Sequence, residues 1–193
     1  MNLLKFHNKI KGYTQNRQPG IEADMEPKPI AELEEYKAAG KLENKVALIT
    51  GGDSGIGRAI AILYAKEGAN VAIGYYDEHQ DAEDTVNRLQ EMGVKAKAYA
   101  HDLKDEKQSQ KLIKDVINDF GSLNILVNNG GVQFPRDHFE DITPQQVKET
   151  FMTNIFGMMF LSQSAVPYLS EGDTIINTTS VTAYRGSGHL IDY

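Results

Sequence analysis

From residue 45 onward, short apolar runs alternate with segments of helical periodicity, and this alternation constrains the fold more than any other feature. The first run, Val46–Ile49, is uninterrupted, which is typical of a strand buried on both faces of a sheet. Further strands are predicted at 71–73, 95–100, 125–127 and 174–177, and helices at 56–66, 79–92, 105–119 and from 143 to about 169. Strands joined in this way by helices make right-handed crossovers. We therefore predict an α/β fold, a doubly wound parallel sheet with helices on both faces.

The first strand ends in a glycine-rich turn that leads directly into a helix. This turn is Thr50-Gly51-Gly52-Asp53-Ser54-Gly55-Ile56-Gly57. Gly51 can make the tight turn, Gly55 lets a phosphate approach the backbone, and Gly57 lets the helix pack against the strand. The free N–H groups at the start of the helix attract a pyrophosphate. Such a turn can also be a plain connector, but its place between a strand and a helix favours dinucleotide binding.

Composition excludes several classes of protein. The chain has no cysteine, which rules out disulfides, thiolate metal sites and a cysteine nucleophile, and its scattered histidines lack metal-ligand spacing, so no metal site is expected. The longest run without charged or polar side chains, Ile155–Leu161, has seven residues and is too short to span a bilayer. The net charge of −7 argues against a general nucleic-acid binder. We expect a cytoplasmic protein without membrane or nucleic-acid partners.

The first 44 residues differ in character from the rest of the chain. Residues 1–20 carry a charge of +4 and residues 21–44 carry −4, so the whole −7 lies on residues 45–193. Repeated glycine and proline residues break any helix in this stretch, and no apolar segment resembles a secretory signal. We predict an N-terminal extended arm, 1–44, followed by one dinucleotide-binding domain, 45–193. The arm either lies on the domain or is mobile, and a tail without chemistry is the alternative to a functional arm.

Five ordered motifs within residues 42–193 resemble those of the short-chain dehydrogenase/reductase family, whose domain is a Rossmann fold. The glycine-rich turn has the family spacing TGxxxGxG. The other four motifs are Asn128-Asn129-Gly130-Gly131 after the fourth strand, Met152-Thr153-Asn154, Ile176-Asn177-Thr178-Thr179-Ser180, and Tyr193, thirteen residues beyond Ser180. Gly130 replaces the alanine usual in the family's NNAG motif. The arm, with Gln18-Pro19-Gly20-Ile21-Glu22, is similar to extensions in a bacterial branch related to general-stress oxidoreductases.

The resemblance implies an enzyme that transfers a hydride between the nicotinamide of NAD or NADP and a small-molecule alcohol or carbonyl substrate. Tyr193 would exchange the proton with the substrate oxygen, and Ser180 would donate a hydrogen bond to that oxygen. Asn154 would order a water molecule in the proton relay. A homotetramer or dimer is also implied. Taken singly, these three residues could instead be a terminal aromatic, a turn hydroxyl and an amide within a helix.

The family places a lysine four residues after this tyrosine, where it lowers the pKa of a phenol that otherwise titrates near 10. The sequence ends at Tyr193, so this lysine and the family's last strands and helices are missing from it. A terminal carboxylate beside the phenol would raise its pKa. Three interpretations stay open: a fragment of an enzyme of family size, a truncated inactive product, or a chain completed by a partner. A catalytically silent nucleotide-binding or regulatory module is the competing hypothesis.

The end of the second strand predicts the choice of cofactor. Tyr75, eighteen residues after Gly57, occupies the position where an acid would hold the ribose 2′-hydroxyl of NAD. Asp77 follows closely, Asp53 lies in the glycine-rich turn, and Ser54 stands where members that bind the 2′-phosphate often carry a base. This excess of negative charge favours NAD over NADP. The adenine and adenosine contacts implied by the resemblance fall on Asp102, Leu103, Asn128 and Gly130.

Overall fold

The computed structural model describes residues 15, 17–18, 20–33 and 35–193. Its strands are β1 (Val46–Thr50), β2 (Asn70–Tyr75), β3 (Ala96–Ala100), β4 (Ile125–Asn128) and β5 (Thr174–Asn177). Its α-helices are α1 (Gly55–Lys66), α2 (His79–Glu91), α3 (Glu106–Phe120), α4 (Pro144–Phe151), α5 (Gly157–Ala165) and α6 (Thr182–Arg185). Among the described residues, no helix is long and apolar enough to cross a membrane. Most of the basic segment predicted over 1–20 lies outside the described residues.

The five strands form one parallel sheet in the order β3-β2-β1-β4-β5. The chain builds the sheet outward from β1 to β3 and then returns to the other side of β1 with β4, so the strand order reverses between β1 and β4. In open α/β sheets a crevice forms at this point, beyond the carboxyl ends of the strands. Thr50 and Asn128 end the two strands there. The predicted doubly wound parallel sheet is confirmed.

Alternate residues of β1 face two separate cores. Ala47 and Ile49 pack into the cluster covered by α1 and α2, whereas Leu48 packs into the cluster covered by α3 and α5, and all three are fully buried. This explains why the sequence of the strand is continuously apolar: neither face of the sheet meets water. Because the sheet is packed on both faces, the ends of β1 and β4 keep their positions beside each other at the crevice.

The single helix predicted from 143 to about 169 is interrupted, and the prediction is wrong on this point. A π-helical turn, Met152–Phe156, separates α4 from α5, and a 3-10 turn, Val166–Tyr168, follows α5. At the start of α4, Thr143 accepts a hydrogen bond from the backbone N–H of Gln146 at 3.1 Å. Thr143-Pro144-Gln145-Gln146 has the sequence of a capping box, but the Gln146 amide does not complete it, because it donates to the Phe134 carbonyl and the Asp192 carboxylate. Tertiary partners therefore override the local motif.

The described part of the arm lies on the domain, along α1 and α2. Glu32 forms an ion pair with Lys66 at the end of α1, and its two oxygens accept hydrogen bonds from Nε and Nη2 of the Arg88 guanidinium on α2. The hydrogen bond from Arg88, together with that from Lys66, lowers the pKa of Glu32 to about 2. Further along, Glu67 accepts hydrogen bonds from the Tyr36 hydroxyl and from arm backbone N–H groups. Of the two alternatives for the arm, the described residues show the docked one.

Candidate functional site

A cleft of about 420 Å³ lies at the carboxyl ends of the strands, centred on the crevice between β1 and β4. Several predicted site residues line it: Gly51, Asp53, Ser54, Gly55, Ile56, Tyr75, Asp102, Leu103, Gly130 and Tyr193. Residues that sequence analysis did not assign also line it, among them Gln18, Tyr76, His101, Lys104, Glu149 and Thr178. Residues from the arm, from the ends of all five strands and from α4 thus meet at one site.

The glycine-rich turn needs its three spaced glycines for different reasons. Gly51 and Gly55 have positive φ angles of 61° and 51°, a conformation that other residues adopt at a cost. A Cβ added at Gly55 would meet nothing within 4 Å, so the turn is open there. A Cβ added at Gly57 would lie 1.8 Å from the carbonyl oxygen of Gly51. Gly57 therefore lets α1 start directly against the end of β1.

The end of β1 is tied to the loop that follows β4. The Thr50 hydroxyl accepts hydrogen bonds from the backbone N–H groups of Asn129 and Gly130, both at 2.9 Å. In return, the Asn129 amide donates to the Thr50 carbonyl at 3.1 Å, and its oxygen accepts from the Thr178 hydroxyl after β5. Three strand ends are thereby linked under the cleft. The Asn128 side chain, by contrast, donates to Ser162 and Asn177.

At the end of β2, an arginine of the arm binds the predicted acid. The Asp77 carboxylate accepts two hydrogen bonds from the guanidinium of Arg17, at 3.1 and 3.2 Å, and Arg17 also pairs with Glu78. Asp77 lies outside the cleft lining, whereas Tyr75 and Tyr76 lie within it. The charge at this end of the cleft therefore includes a cation from the arm, which sequence analysis did not consider.

A second cation lies nearer the adenine contacts implied by the resemblance. Lys104 forms an ion pair with Glu149 at 2.8 Å and lies over the Tyr76 ring, 5.8 Å from its centre. The hydrogen bond to Glu149 raises the pKa of Lys104. In the glycine-rich turn, burial raises the pKa of Asp53, so ionising this carboxylate is less favourable than in water.

His101 is the least expected residue of the cleft. It is 6% exposed, and neither ring nitrogen has a hydrogen-bond partner among the described residues. Burial lowers the pKa of His101 to about 4, so the ring is neutral near pH 7. The only sequence signal for it was its place directly before Asp102, at the end of β3. No group of three or more acidic, histidine or cysteine residues in the described ranges could hold a metal ion.

The three residues expected to carry the reaction occupy different surroundings. Tyr193 lines the cleft and is 40% exposed. The Ser180 hydroxyl accepts hydrogen bonds from the N–H and the hydroxyl of Thr182. The Asn154 amide, on the π-helical turn, donates to the Val132 carbonyl and accepts from its N–H, at 2.7 and 2.8 Å. Site residues predicted from the sequence that lie outside the lining are Gly57, Asp77, Asn128, Asn154 and Ser180. Their roles stay predictions.

A doubly wound parallel sheet with a glycine-rich turn at its switch point defines a dinucleotide-binding fold. The sequence profile described as short chain dehydrogenase matches residues 45–193, and the chain belongs to this family. General stress protein 39 of Bacillus subtilis is 48% identical over 191 residues, which cover 99% of this chain and 67% of that protein. Because this alignment includes most of the arm, the expected resemblance to general-stress oxidoreductases is confirmed.

Two other relatives extend the comparison. The glucose and ribitol dehydrogenase of Daucus carota is 42% identical over 187 residues, covering 93% of this chain and 64% of that protein. In the crystal structure of a short chain dehydrogenase from Burkholderia cenocepacia in complex with NADP, the matched region is 34% identical, with a TM-score of 0.76, and covers 78% of this chain and 61% of that one. The chain thus spans about two thirds of the length of the curated relatives it matches.

Proposed function

We propose that the chain acts in an NAD(P)-dependent oxidoreductase that transfers a hydride between the nicotinamide and an alcohol or carbonyl carbon of a small molecule. The observation that carries this proposal is the glycine-rich turn, which is open at Gly55 and closely packed at Gly57, at the switch point of the sheet. These features fit a pyrophosphate lying against backbone N–H groups. Under this proposal residues 45–193 are the cofactor domain, and residues 1–44 are its arm.

The bound dinucleotide would supply the hydride chemistry, and the chain would supply binding, orientation and a proton path. The first turn of α1, with the amides of Ile56 and its neighbours, would hold the pyrophosphate through hydrogen bonds and the helix dipole. Asp102 and Leu103 would contact the adenine, and Asn128 and Gly130 would border the adenosine and its ribose. The open side of the turn at Gly55 leaves room for a phosphate to reach these donors.

For the chemical step, we propose that the Tyr193 phenol exchanges a proton with the substrate oxygen. Ser180 would donate a hydrogen bond to the same oxygen and stabilise its developing charge. Asn154 would act behind them in the proton relay. It lies on the π-helical turn, and such turns are frequent at functional sites. The position of Tyr193 in the cleft lining supports its role.

A catalytically silent dinucleotide-binding module is the second candidate. One observation favours it: the Ser180 hydroxyl is bound to Thr182 and lies outside the cleft lining. Both candidates bind the dinucleotide, so only turnover separates them.

The proposed function predicts that the chain binds NADH or NADPH, and that ADP-ribose competes for the same cleft. Titration calorimetry measures both, and absence of binding for all three ligands would contradict the proposal. The test of turnover is the oxidation of NADH or NADPH by the chain in the presence of a panel of aldehydes and ketones. Tyr193→Phe is then expected to lower kcat by about 10³-fold, because the proton donor is lost, while the Kd of the cofactor stays within about twofold. Binding without turnover would support the silent module.

We also propose a preference for NAD over NADP, supported by Asp53 in the cleft lining and by Asp77 and Glu78, which follow the lining residues Tyr75 and Tyr76. Arg17 offsets part of this charge. Asp77→Asn is expected to shift the ratio of the NADPH and NADH affinities several-fold toward NADPH, because removing one nearby charge is worth about 1 kcal/mol in water. Asp84→Asn, on the exposed side of α2, is the matched control. An unchanged ratio in the Asp77 variant, or a wild-type chain that binds NADPH more tightly, would overturn the preference.

The assembly is proposed to be a homo-oligomer. Exposed apolar side chains line α4, the π-helical turn and α5, and they include Phe151, Ile155 and Met159. Apolar side chains grouped in this way on a surface are typical of protein–protein contacts.

A further inference from the structure

We propose that the arm contributes to dinucleotide binding in the cleft. In this proposal Glu22 is a positioning residue that holds the glycine-rich turn in its phosphate-binding conformation. This inference rests on the proposed function, because it assigns a role within the same cleft. It concerns residues 15–22 of the arm, as far as they are described, and their contacts with α1 and α2.

Glu22 supplies the cap that α1 lacks. The N-cap residue, Ser54, makes no side-chain hydrogen bond to the first turn. Instead, Oε2 of Glu22 accepts a hydrogen bond from the Gly55 N–H at 2.5 Å, and Oε1 pairs with Arg58 Nη1 at 2.6 Å. Glu22 is only 8% exposed. A carboxylate at this end of a helix is stabilised by the unpaired N–H groups and the helix dipole.

Arg58 extends this contact to the other side of the turn. Its Nε donates to the Thr85 hydroxyl at 2.7 Å, and its Nη2 donates to the Asp81 carbonyl at 3.0 Å. The Thr85 hydroxyl in turn donates to the Asp53 carbonyl at 3.0 Å. The turn is thus held at two backbone positions, the Gly55 N–H and the Asp53 carbonyl, by one partly buried network that begins on the arm. Hydrogen bonds in such networks strengthen one another where water is excluded.

The arm also reaches the cleft itself. The Gln15 amide clamps the backbone of Ile21, donating to its carbonyl at 2.8 Å and accepting from its N–H at 2.6 Å. Of the described residues between Gln15 and Ile21, Gln18 lines the cleft and Arg17 binds Asp77 after the end of β2. These two residues therefore bring the arm to the edge of the cleft.

The opposite interpretation is that the Glu22 carboxylate occupies the place of a phosphate and blocks the cleft. Two observations argue against it. The charge of Glu22 is already paired with Arg58, and a Cβ built at Gly55 meets no atom within 4 Å. The arm therefore binds the N–H of Gly55 while the Cα side of that residue stays open to a ligand. Removing Glu22 would leave the Arg58 charge without its carboxylate and the turn without its cap.

The test compares Glu22→Ala and Glu22→Gln with Glu32→Ala, which removes the arm's ion pairs to Lys66 and Arg88 away from the cleft. Calorimetry gives Kd for ADP-ribose, NADH and NADPH, and a thermal melt gives Tm. We expect Glu22→Ala to raise Kd at least about tenfold for all three ligands, the loss typical of a hydrogen-bonded charge. Glu22→Gln keeps an acceptor for the Gly55 N–H and is expected to restore part of the affinity. Glu32→Ala is expected to lower Tm but leave Kd within about twofold.

Equal affinity in wild type and Glu22→Ala, or an equal loss in Glu32→Ala, would overturn the proposal in favour of a merely stabilising arm. Tighter binding by Glu22→Ala would overturn it in favour of a blocking arm. Hydrogen exchange of the free protein is independent of any ligand: the amides of 53–57 are expected to exchange faster in Glu22→Ala but not in Glu32→Ala. If the wild-type chain binds none of the three ligands, the proposed function fails, and the exchange data still decide whether Glu22 holds the turn.

Discussion

Replacing Gly57 with alanine is expected to destabilise the protein by at least about 3 kcal/mol and to abolish dinucleotide binding. The added Cβ would lie 1.8 Å from the carbonyl oxygen of Gly51 and 2.6 Å from its carbonyl carbon. These are backbone atoms, which cannot rotate away as a flexible side chain can, so α1 must move off the end of β1. Inserting a methyl group into a well-packed interior commonly lowers the free energy of unfolding by about 1–3 kcal/mol. Because this clash is with backbone atoms, we expect a loss at or above the upper end of that range. Urea unfolding and calorimetry measure the two effects.

Gly55→Ala is the matched control for this prediction. It adds the same atom two residues earlier, where the φ angle of 51° makes an alanine strained but no atom lies within 4 Å of the new Cβ. We expect a loss of only about 1–2 kcal/mol, the cost of the left-handed conformation. Binding is nevertheless expected to weaken in Gly55→Ala, because the methyl group fills the open side of the turn. Equal unfolding free energies for the two variants would contradict the assigned packing role of Gly57.

The second large effect concerns His101 and pH. The pKa of its imidazole lies at about 4 in the folded protein, against 6.5 for an exposed histidine, because burial disfavours the charged ring. Between these values the unfolded chain binds the proton and the folded protein does not. The contribution to stability is therefore full above about pH 6.5 and is lost as the pH falls toward 4. The shift in the pKa of His101 therefore accounts for about 3 kcal/mol of the free energy of unfolding.

His101→Leu is the variant that isolates this effect, because it keeps an apolar volume and removes the titrating ring. Between pH 7 and pH 4 its free energy of unfolding is expected to fall by about 3 kcal/mol less than that of the wild type. The carboxylates that titrate in this range are common to both proteins and cancel in the comparison. An imidazole resonance of His101 that titrates near 6.5 in the folded protein, or identical pH profiles, would show the assignment to be wrong.

Much of the architecture follows from local patterns. The run Val46–Ile49 predicted a strand buried on both faces, and the structure shows its alternate residues in two cores. The turn after β1 predicted the place of the cleft, because glycine spacing between a strand and a helix reflects backbone geometry that does not depend on distant residues. Both signals are short in sequence, so both could be recognised without tertiary information.

Other features depended on contacts that the sequence does not encode locally. The helix predicted from 143 to about 169 is broken by the π-helical turn, where the Asn154 amide binds the Val132 backbone. Periodicity could not indicate this, because the run Ile155–Leu161 has no polar side chain on any side, so a shift of one residue leaves no gap in the apolar pattern. The burial of His101 could not be predicted from the sequence, because it depends on packing at the end of β3.

The arm shows most clearly the difference between what local sequence patterns indicate and what tertiary contacts decide. Composition alone indicated a segment without regular helices, and a resemblance placed it beside general-stress oxidoreductases. The sequence did not indicate whether the arm is docked on the domain, because Glu22 and Gly55 are far apart in the chain and their pairing depends on the finished fold. By itself the sequence determined the parallel sheet, the glycine-rich turn and the family, all of which arise from neighbouring residues. Only the tertiary structure decided which charges meet at the cleft, since ion pairs such as Glu22–Arg58 and Arg17–Asp77 form between segments that folding brings together.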